Sequence, residues 1–549
     1  MGTEPASVVD AALGDYETHG QPLYADPAGD VRILRLPGYA DLSPAASTLS
    51  KLAKGASKSD RADALTHPRG DRPVSQPDAV VVGSGPNGLA AAITLARAGL
   101  RVSVLEGADK PGGGCRTAEL TLPGFAHDVC SAVHPLAAAS PFFRDLDLPR
   151  HGVRLLAPPV AVAHPLDRGR AAQISGSVEQ TARLLGPDAR AYRALMAPLV
   201  RASDAVLALA LAPLRSLPGR PVPAALFGAQ GLLPARLLAH RFRTDEARAL
   251  LAGSAGHSLR PLSAPMTSAF ALVLMILAHT TGWPVVEGGS ARLVDAMIAE
   301  LTALGGSVST GTWLSRLDDL PKTAITMLDL TPRQLVSLAG DRLPPGYGRA
   351  LRRFAYGPGA CKVDWALAGP VPWRAQACRR AATVHVGGTI AEIARSEAAA
   401  NAGRHPERPF CLASQPAVVD PSRAPAGKHT LWGYCHVPAG SDVDLSERIE
   451  AQIERFAPGF RDLILARSVR TAHQLEQHNP GYVGGDITGG AATLRQTIGR
   501  PTLRWNPYRT PLAGVYLCSA ATPPGAGVHG MCGQWAAQTA LSDLRIPVA

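Results

Sequence analysis

The segment spanning residues 78–106 restricts the fold of this 549-residue chain more than any other part of it. It opens with the continuously apolar run Ala79–Val82, which is typical of a parallel β-strand buried on both faces. A glycine-rich turn follows, and then a run of strong helix formers over residues 89–98 that Gly99 ends. A second strand is predicted over residues 101–105. Together these elements predict a βαβ unit of about 30 residues, as in an α/β fold.

Three glycines in the turn between the first strand and the helix have G-x-G-x-x-G spacing: Gly83, Gly85 and Gly88. The first permits a tight turn, the second lets the backbone approach a pyrophosphate at the positive end of the helix, and the third lets helix and strand pack closely. Glu106 lies 18 residues after Gly88, where a carboxylate accepts hydrogen bonds from ribose hydroxyls. The pattern therefore predicts a Rossmann-like dinucleotide site, and by itself it fits NAD as well as FAD.

The segment after Glu106 favours the larger cofactor. Residues 110–117 read KPGGGCRT, in which a glycine-rich turn ends in Arg116. Backbone N–H groups and a cation in this turn suit a second anionic region, which a flavin dinucleotide provides. We therefore expect FAD.

Two downstream segments show a similar succession of strands, glycine-rich turns and helices. WPVVEGGS opens a unit with a predicted helix over residues 291–304 and a strand after Gly306. Near the C-terminus, a short strand over residues 514–520 precedes a glycine-rich turn and a helix predicted over residues 534–544. The N-terminus of that last helix suits the ring of a flavin, where negative charge develops on reduction.

Charge and cysteine content exclude several classes of protein. The formal net charge is +11, but the densest basic clusters, within residues 51–58 and 349–353, are small and lack interleaved aromatic residues, so we expect no nucleic-acid partner. The eight cysteines include no C-x-x-C pair, which argues against a zinc ribbon or a redox dithiol, and we expect no metal site. We interpret them as reduced, mostly buried thiols of a cytoplasmic protein.

We expect no signal peptide, because the first thirty residues are acidic and lack an apolar core. The longest apolar run, residues 269–278, is far shorter than the ~20 residues needed to span a bilayer, so it predicts a buried helix. The Leu- and Ala-rich helical patterns over residues 205–278 fit either core packing or a tunnel for an apolar substrate. Peripheral contact with a membrane stays open.

Residues 1–77 form an N-terminal extension that we expect to be partly disordered. The stretch 51–76 resembles a solvated linker, and residues 31–36 are suited to one short strand. Two interpretations remain for this extension: a tail without a catalytic role, or a docking segment for a protein partner.

Five stretches together carry a resemblance to a known family: GGGCRTAELTLPGFAHDVCSAVHPLA, WPVVEGGSARLVDAM, PAGKHTLWGYCHVP, NPGYVGGDITGGAATLRQ and GVYLCSAATPPGAGVHGMCG. With them the sequence resembles the phytoene desaturase-type, carotenoid-oxidoreductase family of FAD enzymes. Within that family it is most similar to the branch of pyridine nucleotide-disulfide oxidoreductase domain-containing protein 2. The resemblance covers residues 78–549.

The resemblance implies an α/β fold in which a discontinuous Rossmann-like FAD-binding domain of the amine oxidase and phytoene desaturase type is interleaved with an α+β substrate domain. The boundaries expected for the FAD-binding domain are 78–140, 283–340 and 499–549. Those expected for the substrate domain are 141–282 and 341–498.

The resemblance also assigns residues to the cofactor. Those expected to bind FAD are Gly83, Gly85, Pro86, Asn87, Gly88, Glu106, Gly113, Gly114, Arg116, Ala520, Gly527, Val528 and His529. The chain departs from the family pattern at Ser519 and Ala526, where relatives often have glycine.

The activity implied is FAD-dependent desaturation or oxidation of a mainly apolar, polyene- or prenyl-like substrate, with hydride passing to the flavin. Electrons are expected to leave to oxygen or a quinone, because the chain has neither a redox dithiol nor a second G-x-G-x-x-G unit of the same context. Two alternatives remain: a flavin-dependent tailoring enzyme or redox cyclase of natural-product biosynthesis, and a flavin-binding scaffold with little turnover.

A base is needed only when a proton leaves with the hydride. His529, in the turn assigned to the flavin, is the first candidate, and His127 and His134 come next. Lys362 and Asp364 occupy alternating positions of a predicted strand and suit an ion pair. Asp486 and Arg495 are interpreted as lining the cofactor or capping a turn.

Overall fold

The computed structural model describes residues 77–213 and 219–547, together with two short strands at 24–25 and 31–32. The disorder predicted for the N-terminal extension falls on residues outside them.

The chain divides into two compact units, residues 1–75 and residues 76–549. In the first unit, Tyr24–Ala25 pairs antiparallel with Val31–Arg32. The strand predicted over residues 31–36 is therefore present at its first two positions, and the remainder lies outside the described residues.

The described strands are numbered in chain order. They are β1 Tyr24–Ala25, β2 Val31–Arg32, β3 Ala79–Val82, β4 Val102–Leu105, β5 Thr117–Glu119, β6 Ala126–Asp128, β7 Leu155–Leu156, β8 Val162–Pro165, β9 Ala171–Ile174, β10 Val285–Val286, β11 Ser307–Ser309, β12 Ile325–Leu328, β13 Gly359–Leu367, β14 Thr383–Val386, β15 Cys411–Ser414, β16 His429–Val437, β17 Ile464–Arg470 and β18 Val515–Leu517.

The described α-helices are numbered in the same way. They are α1 Pro86–Arg97, α2 Pro135–Ala139, α3 Pro141–Leu146, α4 Val178–Leu184, α5 Ala189–Arg201, α6 Ser203–Ala210, α7 Pro221–Gly231, α8 Ala235–Leu238, α9 Asp245–Gly256, α10 Thr267–Thr280, α11 Ala291–Ala303, α12 Pro332–Ala339, α13 Pro345–Arg352, α14 Gln376–Arg379, α15 Ile390–Asn401, α16 Ser446–Phe456, α17 Ala472–His478, α18 Leu494–Ile498 and α19 Met531–Asp543.

A five-stranded parallel sheet forms the centre of one half of the second unit. Its strand order is β11-β4-β3-β12-β18, and every neighbouring pair is parallel. Helices α1, α11 and α19 pack on one face, and α12 and α13 pack on the other. A parallel sheet covered on both faces explains why its strands read as continuous apolar runs.

This sheet confirms the α/β class and its discontinuous Rossmann-like core. Its strands come from residues 79–105, 307–328 and 515–517, so distant parts of the chain contribute to one sheet. Helix α1 begins earlier than residue 89, at Pro86, because proline is well suited to the first turn of a helix. The residue boundaries of the two interleaved domains stay a prediction.

The stretches of sequence between the segments of the parallel sheet form a seven-stranded mixed sheet. Its order is β17-β13-β16-β15-β14-β8-β9, and its pairs are antiparallel except β14 with β8. One face packs against α9 and α10, and the other packs against α16. The run over residues 269–278 lies in α10, whose Leu272, Met275 and Ile276 are buried, as predicted for a core helix.

No single helix in the described ranges is both long and apolar enough to cross a membrane. One bent pair, Pro221–Gly231 with Ala235–Arg241, meets the length and composition requirements jointly, and its two parts meet at 99°.

Candidate active site

A cavity of about 1300 Å³ lies between the five-stranded sheet and the seven-stranded sheet, and residues of both sheets line it. At one end it is lined by the turns that follow β3, β4 and β12 and by the turn that precedes α19. At the other end it is lined by α6, α7, α10 and the strands β14, β15 and β16. Among the cofactor residues predicted from the sequence, all except Gly88 line this cavity.

The glycine turn after β3 has the close approaches that its spacing predicts. Gly83 has a φ of +95°, which is the left-handed region that favours glycine. A Cβ atom on Gly88 would lie 2.1 Å from the carbonyl oxygen of Gly83, so this position packs helix against strand and does not face the cavity. A Cβ atom on Gly85 would lie 2.7 Å from Oδ2 of Asp329, and Gly85 does line the cavity.

Glu106 lies at the end of β4 with its carboxylate held by its surroundings. Ser84 donates to Oε2 from its backbone N–H at 2.9 Å and from its hydroxyl at 2.5 Å. The backbone N–H of Ala108 donates to Oε1 at 2.9 Å. Arg116 places Nη2 3.8 Å from Oε1, and it lines the cavity beside Glu106. These contacts fix the orientation of the carboxylate and leave acceptor capacity on it for a ribose.

Asp329 is a second carboxylate at this end, and the sequence reasoning missed it. It follows β12 directly, and Oδ2 accepts a hydrogen bond from the backbone N–H of Gly88 at 2.9 Å. Burial raises the pKa of Asp329 to about 7, and the nearby Glu106 charge adds to this increase. The available signal was its place at the carboxyl end of a parallel strand, where ligands of open α/β sheets bind.

The second glycine turn lies against the first. A Cβ atom on Gly113, which has a φ of +54°, would lie 3.1 Å from the Cα atom of Gly85. A Cβ atom on Gly114 would lie 2.7 Å from the hydroxyl oxygen of Tyr482. Both glycines therefore allow backbone to approach the space next to Arg116.

A buried cation that the sequence reasoning also missed lies against the turn before α19 and follows α18 in the chain. Arg500 is 7% exposed and lines the cavity. Its Nη1 and Nη2 donate to the carbonyl oxygens of Ala520 and Gly490 at 3.1 Å and 3.2 Å, while Nε has no partner among the described residues. Burial lowers the pKa of this guanidinium. A buried cation held by neutral carbonyl groups suits an anionic ligand.

His529 lines the cavity, but its ring is occupied by the turn. Nδ1 accepts the backbone N–H of Met531 at 3.0 Å, and Nε2 donates to the carbonyl oxygen of Gly525 at 3.2 Å. Burial lowers the pKa of His529 to about 4. Both ring nitrogens hydrogen-bond to the backbone, so His529 stabilises the turn, and its role as a base stays a prediction.

The two other candidate bases have different positions. His127 lies outside the cavity lining: its Nε2 is 2.7 Å from the hydroxyl of Thr121, and its Nδ1 is 3.7 Å from Oδ1 of Asp364. Burial lowers its pKa to about 3. His134 does line the cavity, and neither ring nitrogen has a hydrogen-bond partner in the described part of the chain. Burial lowers its pKa to about 4, so it is neutral at pH 7.

The remaining candidates are structural. Lys362 and Asp364 form the predicted ion pair, and both are buried. Asp486 is buried and accepts the backbone N–H groups of Gly357, Thr488 and Gly490, which is the turn-capping role. Arg495 is exposed on α18.

All eight cysteines are free, and seven of them are buried. Within the described residues, no group of three or more His, Cys, Asp or Glu side chains is placed to hold a metal ion.

The far end of the cavity is an apolar chamber. Its helical wall consists of Leu209, Phe227, Phe270, Val273 and Leu274. The opposite wall is the face of the mixed sheet formed by β14, β15 and β16. The same helices also supply the core packing around α10, so the core-packing interpretation of residues 205–278 is confirmed, and the tunnel for an apolar substrate stays a prediction.

A pair of histidines borders the sheet wall of this chamber. The ring of His257 lines the cavity, and its Nε2 lies 3.0 Å from Nε2 of His385. Burial lowers the pKa of His257 to about 3 and holds that of His385 well below its ordinary value. Both rings are therefore neutral at physiological pH.

Comparisons with known proteins agree with this fold. The NAD(P)-binding Rossmann-like domain family matches residues 81–146. A solved structure of a putrescine oxidase double mutant superimposes with a TM-score of 0.56 at 17% identity, covering 86% of this chain and 99% of that one. The fold is thus that of the amine oxidase-type FAD-binding oxidoreductases.

Relatives found by sequence indicate more specifically which oxidoreductases the chain is similar to. The chain is 26% identical to pyridine nucleotide-disulfide oxidoreductase domain-containing protein 2 of Rattus norvegicus, over 85% of this chain and 94% of that protein. It is 32% identical to hydroxyneurosporene desaturase of Cereibacter sphaeroides, over 40% of this chain and 46% of that protein. These similarities confirm the resemblance found in the sequence, and they indicate an oxidoreductase with a Rossmann-like dinucleotide-binding core.

Proposed function

We propose that this chain binds FAD and oxidises a mainly apolar, polyene- or prenyl-like substrate by removing hydride from a C–H bond. The observation that carries the proposal is the single cavity that connects the dinucleotide turns to the apolar chamber. A cofactor seated at one end and an apolar ligand at the other would meet inside this cavity, where the apolar walls limit the access of water to the site of hydride transfer.

The residues at the cofactor end fit FAD. Glu106 would accept the ribose hydroxyls, and the turns at Gly85 and Gly113 would approach the pyrophosphate, with Arg116 as the neighbouring cation. Arg500, with its unpartnered Nε, would face the anionic side of the cofactor near the turn before α19. When bound, the flavin supplies the hydride acceptor.

Few groups of the protein itself would take part in the reaction. The helical wall of the apolar chamber orients the substrate and excludes water. If a proton leaves together with the hydride, His134 is the candidate base, because it lines the cavity, is neutral and has both ring nitrogens unpartnered among the described residues.

The cofactor is tested by the absorption spectrum of the purified protein, with free FAD added where the preparation is pale. We expect a flavin spectrum in the wild type. Gly85→Val should abolish it, because a side chain at this position collides with Asp329 and fills the approach to the pyrophosphate.

Gly346→Ala is the matched control, since a Cβ atom there has no neighbour within 4 Å. Circular dichroism should show that both variants are folded. A wild-type protein that is colourless after reconstitution, or a Gly85→Val variant that retains a full complement of flavin, would contradict the proposal.

The substrate class is tested by anaerobic bleaching of the bound flavin. We expect a prenyl or polyene compound to bleach it, whereas a short water-soluble polyamine should not. Bleaching by the polyamine alone would instead indicate an amine oxidase, the activity named for the solved structure in the comparison.

A further inference from the structure

The sheet wall of the apolar chamber carries three polar side chains in line across its strands. Thr383 on β14 lies directly opposite Ser414 on β15, and Ser414 lies directly opposite Trp432 on β16. We call these three residues the polar row. Because neighbouring strands are about 4.8 Å apart, the row is about 10 Å long. All three residues line the cavity.

Each member of the polar row has a polar atom without a partner. Thr383 Oγ1, Ser414 Oγ and Trp432 Nε1 are buried and make no hydrogen bond within the described part of the chain. Thr383 is 4% exposed and Ser414 is 0% exposed. Unsatisfied buried groups destabilise a fold, so three in direct register on a cavity wall indicate that a ligand supplies their partners.

The surroundings of the polar row select an uncharged ligand group. The charged side chains that line the cavity among the described residues are Glu106, Arg116, Asp329 and Arg500, and all four lie at the dinucleotide end. Asp364, which lies directly opposite Trp432 on the neighbouring strand β13, already forms an ion pair with Lys362. His257 and His385, which border this wall, are neutral. An ammonium or carboxylate group would therefore be buried here without a counter-charge, which is costly.

The chemistry of the polar row also favours oxygen in the ligand. The indole N–H of Trp432 only donates, whereas the hydroxyls of Thr383 and Ser414 both donate and accept. A carbonyl oxygen accepts from all three, and a hydroxyl group accepts from the indole and exchanges hydrogen bonds with the other two. The helical wall opposite the row is apolar and suits a hydrocarbon chain.

We propose that the polar row binds a neutral hydroxyl or carbonyl group on an otherwise apolar substrate. The substrate class is then an oxygenated prenyl or polyene compound rather than a plain hydrocarbon. This inference rests on the proposed function and makes its substrate more specific.

The first test compares matched ligands on the flavin-loaded protein by isothermal titration calorimetry. The probes are geranylgeraniol and the hydrocarbon of the same carbon skeleton, both presented in the same detergent. We expect the alcohol to bind at least about tenfold more tightly, which corresponds to roughly 1.4 kcal/mol. An alcohol that binds no more tightly than the hydrocarbon, or that does not bind, would overturn the proposal.

The second test removes the row atoms without removing any hydrogen bond of the free protein. Trp432→Phe keeps an aromatic ring and deletes the N–H, and Ser414→Ala deletes the hydroxyl. We expect each variant to bind the alcohol about tenfold more weakly and to bind the hydrocarbon as the wild type does. The melting temperature of Ser414→Ala should be unchanged or higher, because the deleted hydroxyl has no partner in the free protein.

Thr430→Val is the matched control. Thr430 lies on β16 two residues before Trp432, and its hydroxyl is also buried and unpartnered, but it does not line the cavity. This variant should bind the alcohol as the wild type does. Equal weakening in the control, or loss of flavin from the two row variants, would overturn the proposal. If the wild type binds no flavin, the proposed function fails, and the same titrations on the flavin-free protein still decide the role of the row.

Discussion

Asp329 shows how one carboxylate is affected by its place at the end of a parallel strand. It lies beneath the glycine turn, where its Oδ2 accepts the N–H of Gly88. That hydrogen bond favours the ionised form, but burial acts in the opposite direction and dominates, so the pKa rises from its ordinary 3.8 to about 7. The folded protein therefore holds a proton on Asp329 that the unfolded chain releases.

We predict that this proton makes stability depend on pH in a defined direction. Between pH 4 and pH 7 the unfolded chain ionises Asp329 while the folded protein does not, so the free energy of unfolding falls as the pH rises. Above pH 7 both states are ionised and the difference stops growing. Asp329→Asn lacks this titration and keeps an acceptor for Gly88.

The melting temperatures of flavin-free wild type and Asp329→Asn, measured from pH 4 to pH 8, provide the test. The difference in favour of the variant should increase from pH 4 to pH 7 and then level off. A difference that is the same at every pH would show that the carboxylate titrates normally in the folded state.

The residues of the site differ in how readily the sequence reveals them. Gly83, Gly85 and Glu106 are found from spacing alone, because one short βαβ unit contains all three. Asp329 bonds to Gly88 across 241 positions of sequence, and Arg500 is brought to the cavity by packing of distant segments, so no local pattern marks either. The structural role of His529 in its turn could not be predicted for a similar reason, since its two backbone partners are known only from the folded turn.

At the scale of elements, a buried arginine connects strand β6 to the segment after β15. Arg423 is 0% exposed, and its Nη2 lies 2.6 Å from Oδ2 of Asp128. Its Nε lies 2.9 Å from Oδ2 of Asp420, and its Nη1 donates to the carbonyl oxygen of Ala126. Asp128 in turn accepts the backbone N–H of Ser290, just before α11. One cation thus holds together three separate segments.

We predict that Arg423→Met destabilises the protein by about 3–5 kcal/mol, because it leaves two carboxylates buried without a counter-charge. The control is Arg461→Met, which removes an exposed ion pair with Glu447 and should cost less than about 1 kcal/mol. The measurement is the midpoint of urea unfolding for both variants. Similar midpoints would show that the buried pairs contribute no more than the exposed one.

The elements themselves were predictable to different degrees. Strand β3, helix α1 and strand β4 follow the sequence prediction to within a few residues, because each has a clear apolar pattern and glycine boundaries. Strand β13 is different. All nine of its residues are buried, including the Lys362–Asp364 pair, although alternating polar and apolar residues usually indicate a strand with one face exposed. Only the positions of those two residues suggested a strand there.

At the scale of the whole molecule, the excess of basic residues and the cavity both lie in the same part of the chain. Residues 1–75 contain ten acidic and eight basic residues, so the cationic excess of the protein lies entirely in residues 76–549. That unit also contains both large sheets and every described residue that lines the cavity. The opposite charge balance of the first 75 residues gives no sign that they contribute to cofactor binding.

We therefore predict that deleting residues 1–75 leaves the flavin-to-protein ratio, the melting temperature and anaerobic bleaching unchanged. The physical reason is that the described core clusters and the cavity are complete within residues 76–549. Absorption spectra and thermal unfolding of the truncated and full-length proteins, purified in parallel, provide the comparison. A truncated protein that unfolds or loses flavin would show that the first unit stabilises the second. If catalysis and folding persist, any binding partner that the truncated protein fails to retain must be recognised by residues 1–75, which would establish the docking role considered for this extension.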